Sequence, residues 1–150
     1  MNINDITERP VDRGVERELQ QFEHDSRVVL GLDSSVTDPD DIVRVINEHI
    51  DGLERPSQGP TTERAILLLA CLWGIQICRR LKWEWVELTV AGEEHFGIVS
   101  PLREYAILPF VYMRQVFAVE GRENTSLLVY NMVKAGKFTP QAPQSYYVLE

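Results

Sequence analysis

Residues 61–100, TTERAILLLACLWGIQICRRLKWEWVELTVAGEEHFGIVS, decide the fold. From Ile66 to Ile77 almost every position is apolar, which predicts a helix buried on nearly all sides rather than along one stripe. After Lys82 the apolar positions alternate with polar ones, as is typical of β-strands. This change of period predicts a central buried helix that is followed by an antiparallel hairpin.

Three residues of the predicted helix carry further information. Gly74 lies in its middle, where glycine costs about 1 kcal/mol relative to alanine, so we expect another backbone to pack closely there. Cys71 and Cys78 are seven positions apart on the same helix, which separates them by about 10.5 Å. That is too far for a disulfide, so we expect two reduced thiols packed in the core.

The hairpin is predicted to have strands at 84–90 and 95–100, joined by a turn over 91–94. A register that pairs Val90 with His95 sorts the side chains onto two faces, with Val86, Leu88, Val90, Gly97 and Val99 on one and Trp85, Glu87, Thr89, Phe96 and Ile98 on the other. Because both faces are largely apolar, either helices cover both or the Trp85 face binds a partner. A third strand over 104–108 completes a three-stranded antiparallel meander.

The flanking sequence predicts helices on both sides of this unit. Residues 1–10 read as a loose arm, a surface helix covers 11–29, and Thr37-Asp38-Pro39 starts a helix that ends near Arg55-Pro56. Thr61 or Thr62 is expected to cap the central helix. Pro109 opens another helix, Asn124 or Thr125 caps the last one before Gly136, and residues 139–150 read as an extended tail. We therefore expect one α+β domain over residues 1–150.

The net charge of −8 is confined to the first part of the chain. Residues 1–64 hold 15 Asp and Glu against 7 Lys and Arg, whereas residues 65–150 hold 8 of each. This acidity argues against binding to nucleic acid and favours a basic protein partner, although it also serves solubility alone. With no signal peptide and no membrane-spanning segment expected from the sequence, we predict a cytoplasmic protein.

No catalytic, cofactor-binding or metal-binding signature stands out. His24, His49 and His95 lie on three different predicted elements without ligand spacing, and Ser100 lacks the glycines of a nucleophile elbow. Glu84 and Glu87 flank Trp85, where an indole could raise a carboxyl pKa for acid–base work, but strand alternation places them on opposite faces. The sequence therefore favours a non-enzymatic protein and leaves an enzyme as the alternative.

Four short segments resemble a known family. Residues 69–79, 83–86, 96–99 and 108–110 pair a helix bearing an aromatic-Gly step with a Trp-Val strand and a proline-opened segment. In this they resemble bacterial proteins of the family called domain of unknown function 3806, over residues 65–135. The resemblance implies an uncharacterised or non-enzymatic accessory domain, with no catalytic residues to carry over.

Two functions follow from these observations. The first is a small acidic bacterial protein that binds another protein, as immunity or accessory proteins do. The alternative is a small enzyme or binder of an anionic ligand, in which the guanidinium groups of Arg79 and Arg80 meet the aromatic rings of Trp83 and Trp85. Both use one candidate surface, made of Gln76, Arg79, Arg80, Trp83, Trp85, Phe96, Ile98 and Tyr105. The sequence does not indicate the oligomeric state.

Overall fold

The computed structural model describes residues 5–55, 57–118 and 123–149 and shows an α+β fold. Along these residues the elements are β1 (Ile6–Pro10), α1 (Arg13–Val29), α2 (Pro39–Asp51), α3 (Pro60–Leu81), β2 (Glu84–Val90), β3 (Glu93–Val99), β4 (Tyr105–Ile107), α4 (Pro109–Ala118), α5 (Ser126–Ala135) and β5 (Tyr147–Val148). The predicted helices are therefore all present. Helix α2 ends earlier than expected, at Asp51, and part of its predicted end, Pro56, lies outside the described residues.

Helix α3 lies at the centre of the fold, as predicted. Its residues from Leu68 to Ile77 are buried without interruption, and it packs against each of the other four helices described. The indole N–H of Trp73 donates to the Ser126 carbonyl oxygen at 3.1 Å and so ties α5 to α3. The helix starts two or three residues earlier than expected, with Gly59 rather than Thr61 or Thr62 at its N-cap.

Length and composition alone would let α3 cross a membrane. However, 61% of its most apolar window is buried inside the protein. A helix at the centre of a protein core gives the same signal, so this one is weak evidence for a membrane span.

The sheet contains five strands in the order β1-β2-β3-β4-β5. The predicted meander forms its middle, and two segments that we expected to be loose or merely extended form its edges. Residues 6–10 pair antiparallel with β2, and the tail adds β5 parallel to β4. The prediction of a loose arm was therefore wrong for residues 6–10, and the extended tail pairs with the sheet at β5. Residues 1–4 and 150 lie outside the described residues.

Neither edge strand was predicted, because neither shows a clear alternation of apolar and polar side chains. In β1 only Ile6 is a large apolar residue, and Pro10 is tolerated because it ends an edge strand. β5 is only two residues long. Such strands form because their backbone groups pair with a neighbouring strand that is already in place. The alternation of apolar and polar residues does not reveal this pairing.

The hairpin between β2 and β3 is tighter than predicted. Val90 pairs with Glu93 instead of His95, which leaves Ala91 and Gly92 as a two-residue turn. Both have positive φ, 50° and 82°, as a type I′ turn requires. Because the strand has slipped by an even number of residues, the two predicted faces survive the change.

The sheet is strongly curled, so that its two edges approach each other. Glu8 of β1 accepts hydrogen bonds from the Arg103 guanidinium and from the hydroxyl of Tyr146, just before β5. The Arg103 Nε–Glu8 Oε1 distance is 2.8 Å. Inside the curl lies a second apolar cluster of buried residues, formed by Val86, Leu88, Val90, Val99, Ala106, Tyr146 and Val148. Curling thus covers one face of the hairpin, while helices cover most of the Trp85 face.

Gly74 allows a close approach, but by a side chain rather than the backbone that we expected. A Cβ at this position would lie 2.5 Å from Trp85 Cζ2 and 3.2 Å from Pro109 Cγ. The indole of Trp85 therefore lies directly across α3 at Gly74. The missing side chain sets the distance between the central helix and the sheet.

We predict that Gly74→Ala lowers the free energy of unfolding by about 2 kcal/mol, because the new methyl group collides with the Trp85 ring. Urea unfolding followed by circular dichroism measures the change. Gly52→Ala is the matched control, since a Cβ there meets nothing closer than 3.6 Å. Adding Trp85→Phe should recover part of the loss because it removes the colliding ring atoms. Equal stability of Gly74→Ala and the wild type would contradict this packing.

We also predict that Glu8→Gln weakens the fold at neutral pH and much less in acid. Hydrogen bonds from Arg103 hold the pKa of Glu8 below its ordinary value of 4.5, with a further contribution from Tyr146 and against the effect of burial. A carboxyl whose pKa falls on folding stabilises the fold above its unfolded pKa and loses that effect as the pH drops through the folded pKa.

The expected loss at pH 7 is about 1–2 kcal/mol. Urea unfolding at a series of pH values should show the difference between variant and wild type shrinking below about pH 4.5. Glu16→Gln, at an exposed position of α1, is the control. A difference that stays constant down to pH 3 would show that the Glu8 charge is not what matters.

Candidate functional site

The eight residues of the predicted surface do not form one site. Gln76 and Ile98 are fully buried. Trp83 and Tyr105 line a hollow of about 200 Å³ at the opposite end of the sheet from the hairpin turn. Trp85 and Phe96 line a different groove, beside α1. The two hollows that these aromatic rings line are thus bordered by none of Gln76, Arg79 and Arg80.

Helix geometry explains the separation. Trp85 lies against Gly74, and Gln76 projects about 160° away from Gly74 around the helix axis. Arg79 and Arg80 are directed to two other neighbours. These residues are close in the sequence, but the fold directs their side chains to different neighbours.

Both arginines have carboxylate partners. Arg79 forms a two-pronged ion pair with Glu23 of α1, with Nη2 2.8 Å from Oε1. Arg80 Nε lies 3.9 Å from Asp40 of α2. These pairs hold the end of α3 between α1 and α2.

Asp40 is the centre of a polar cluster. Besides Arg80 it binds Lys134, whose Nζ lies 3.0 Å from Oδ2, and it accepts the hydroxyl hydrogen of Tyr130. The hydrogen bond from Tyr130, followed by that from Lys134, lowers the pKa of Asp40, while burial and Asp40 raise that of Tyr130. The cluster therefore joins α2, α3 and α5 through hydrogen bonds and ion pairs.

Ser100 begins the turn between β3 and β4, where its carbonyl oxygen accepts the Arg103 N–H at 2.9 Å. Its hydroxyl donates to Glu104 Oε1 at 3.0 Å and accepts the Tyr105 N–H at 2.9 Å. Within the described ranges, no three His, Cys, Asp or Glu side chains come together in an arrangement that could hold a metal ion.

The apolar groove beside α1 is the best candidate for a functional site. It encloses about 170 Å³ and is lined by side chains from α1, α3, α4 and the hairpin, namely Val15, Glu18, Leu19, Phe22, Leu67, Cys71, Trp85, Phe96 and Phe110. We call this the Trp85 groove. The sequence indicated Trp85 and Phe96 as surface candidates but gave no indication of the other lining residues.

The α1 wall of the groove has a simple origin. Val15, Leu19 and Phe22 follow one another at helical spacing, so they share the face of α1 that is directed at α3 and the hairpin. The N-cap Asp12 fixes the start of the helix by accepting the Val15 N–H at 2.9 Å. The apolar spacing was visible in the sequence, but nothing there indicated which side of the sheet it would cover.

Trp85 forms the floor of the groove. Its ring packs on Gly74 and lies 6.0 Å from the Phe110 ring, centroid to centroid. Its indole N–H is buried without a hydrogen-bond partner among the described residues, which costs about 1–3 kcal/mol. The indole ring is therefore positioned by apolar contacts rather than by a hydrogen bond.

Phe96 forms the open rim. It is 38% exposed, whereas Ile98 on the same strand face is fully buried. The helices therefore cover the Trp85 face at the Ile98 end and leave it open towards the hairpin turn. An exposed aromatic ring beside an apolar hollow is a surface that a partner can cover.

Carboxylates surround this opening. Glu18 is exposed on the α1 side, Glu87 lies directly across from Phe96, and Glu94 is two residues away on the same strand face. Arg9 neutralises part of this charge, since its Nη2 lies 3.2 Å from Glu87 Oε2. The rim of the groove therefore remains acidic.

Comparison with known proteins does not identify the chain. No family model, no curated protein and no solved structure matches it. The resemblance to domain of unknown function 3806 therefore stays a prediction.

We predict that the two thiols react slowly in the native protein. Both cysteines are free; Cys71 is buried and Cys78 is half-buried. Burial raises the pKa of each to about 12, with Glu18 adding to the effect at Cys71 and Glu84 at Cys78. Since only the thiolate reacts, labelling with a thiol reagent at pH 8 should take far longer than in urea. Native labelling of Cys71 within seconds would show that the groove floor is open.

Proposed function

We propose that this chain is a protein-interaction module, and that the Trp85 groove receives an apolar side chain from a basic segment of its partner. The observation that carries the proposal is an apolar hollow that ends at an exposed aromatic ring, Phe96. Interfaces are centred on such pockets, which an aromatic or aliphatic anchor fills. The volume of about 170 Å³ leaves room for one large side chain rather than a helix.

Charge supports a basic partner. Glu18, Glu87 and Glu94 surround the opening, and Arg9 offsets part of their charge through Nη2, which lies 3.2 Å from Glu87 and 3.9 Å from Glu94. The wider N-terminal half is also acidic, although Glu23 and Asp40 are already neutralised by Arg79 and Lys134. Lys or Arg beside the anchor would face the remaining carboxylates and accelerate the encounter. A basic toxin, as in an immunity pair, or a basic accessory component fits this description.

A pull-down from the native host tests the proposal. Wild-type protein, Phe96→Ser and Leu128→Ser serve as baits. Leu128 of α5 is the control because it is also a large apolar residue, is more exposed than Phe96 at 57%, and does not line the groove. We expect one partner to be retained by the wild type and Leu128→Ser and to be lost with Phe96→Ser. If no captured protein depends on Phe96, the proposal is wrong.

Kinetics with the captured partner test the charge argument separately. Glu18→Lys should slow association several-fold and flatten its dependence on salt, because long-range attraction acts mainly on the on-rate. Glu48→Lys on the exposed face of α2 carries the same charge change away from the groove and should have a smaller effect. If neither salt nor Glu18→Lys changes the association rate constant, electrostatic attraction at this rim is excluded.

A further inference from the structure

A second, polar cleft of about 470 Å³ lies between α1, the 30–38 loop and the end of α3. Its walls include the cations Arg27 and Arg79 together with His24, Ser34 and Thr37. We propose that this cleft binds a small molecule through an oxyanion, either a carboxylate or a phosphate group. This site shares no lining residue with the Trp85 groove and does not depend on the function proposed for it.

The cleft uses a face of α1 that the groove does not. Gln20, Glu23, His24 and Arg27 occupy positions i, i+3, i+4 and i+7, which aligns them along one side of the helix. This side is entirely polar, whereas the side carrying Leu19 and Phe22 is apolar. Helix α1 therefore has two functional faces, one for each site.

Arg27 provides a positive charge that no carboxylate in the described part of the chain neutralises by an ion pair. It is half-buried, and its Nη2 donates to the carbonyl oxygens of Asp33 at 2.7 Å and Val36 at 2.6 Å. These two bonds fix the guanidinium at the loop. Since an arginine carries five N–H donors, the Nε and Nη1 donors remain and can each donate a single hydrogen bond to an anion.

Arg79 contributes a second guanidinium that Glu23 holds in place. The pair consumes one N–H on each terminal nitrogen of Arg79, and the side chain is still half exposed. The charges of Glu23 and Arg79 cancel, so Arg27 leaves this cleft with a net positive charge in a chain of net charge −8. A local positive site in an acidic protein favours a small anion over a large polyanion such as nucleic acid.

An NMR titration tests the inference with inorganic phosphate and, separately, with acetate, at ionic strength held constant with sodium chloride. We expect saturable shifts at the backbone amides of Ser34 and Thr37 with at least one probe. A preference for phosphate identifies a phosphate ester as the ligand class, and a preference for acetate identifies a carboxylate.

Two neighbouring arginines give a matched pair of variants. Arg79→Gln should weaken the binding about tenfold, which corresponds to about 1.4 kcal/mol. Arg80→Gln makes the same change one residue later, outside the cleft, and should stay within about twofold of the wild type. Should Arg79→Gln fail to fold, His24→Ala at an exposed position provides the second variant and should also weaken binding.

The inference is overturned if neither probe gives saturable shifts, or if the shifts are the same in the cleft variants as in the wild type. Phe96→Ser should bind phosphate or acetate as the wild type does. This result separates the oxyanion cleft from the Trp85 groove, so that either proposal can fail without the other.

Discussion

A helix without a polar face has to be enclosed, and this constraint organises the whole molecule. Helix α3 is buried continuously from Leu68 to Ile77, so water must be kept from every side of it. A single sheet or helix pair cannot do this. The other helices described and the curled sheet provide the cover, and apolar burial worth about 25 cal/mol per Å² is the gain that holds them there.

The contact between Gly74 and Trp85 joins the two layers of this enclosure. The glycine lets the indole lie directly on the helix, which brings the hairpin close enough to bury Ile98 and Ile107 against the helices. The same contact fixes the floor of the Trp85 groove. One packing requirement of the core therefore also shapes the candidate binding surface.

Helix α1 explains why both proposed sites lie on the same side of the molecule. It covers α3 incompletely, leaving the apolar groove along one margin and the polar cleft along another. Salt bridges at the margins, such as Arg64 to Asp25 at 3.0 Å, fix its position. The apolar side of α1 suits a protein anchor and its polar side suits an anion, so the two proposals use different chemistry on one element.

The sequence by itself determined the elements with strong local signals. Apolar positions around α3, alternation in β2, and the proline and glycine boundaries of α2, α4 and α5 all act over a few residues, so they can be recognised without knowing the fold. The division of the hairpin into two faces also followed from its period of two, even though the register was wrong by two residues. The identity of Trp85 and Phe96 as surface candidates belongs to this group.

Only the tertiary structure decided what depends on contacts between distant parts of the chain. The edge strand at Ile6–Pro10 forms by backbone pairing with β2, and the Glu8–Arg103 ion pair joins residues 95 positions apart. The partners of Arg79 and Arg80, which separated them from the tryptophans, likewise lie on other helices. The local sequence pattern does not show which neighbour a helix side chain will meet, nor which segment will pair at a sheet edge. These two effects determined where the candidate sites lie.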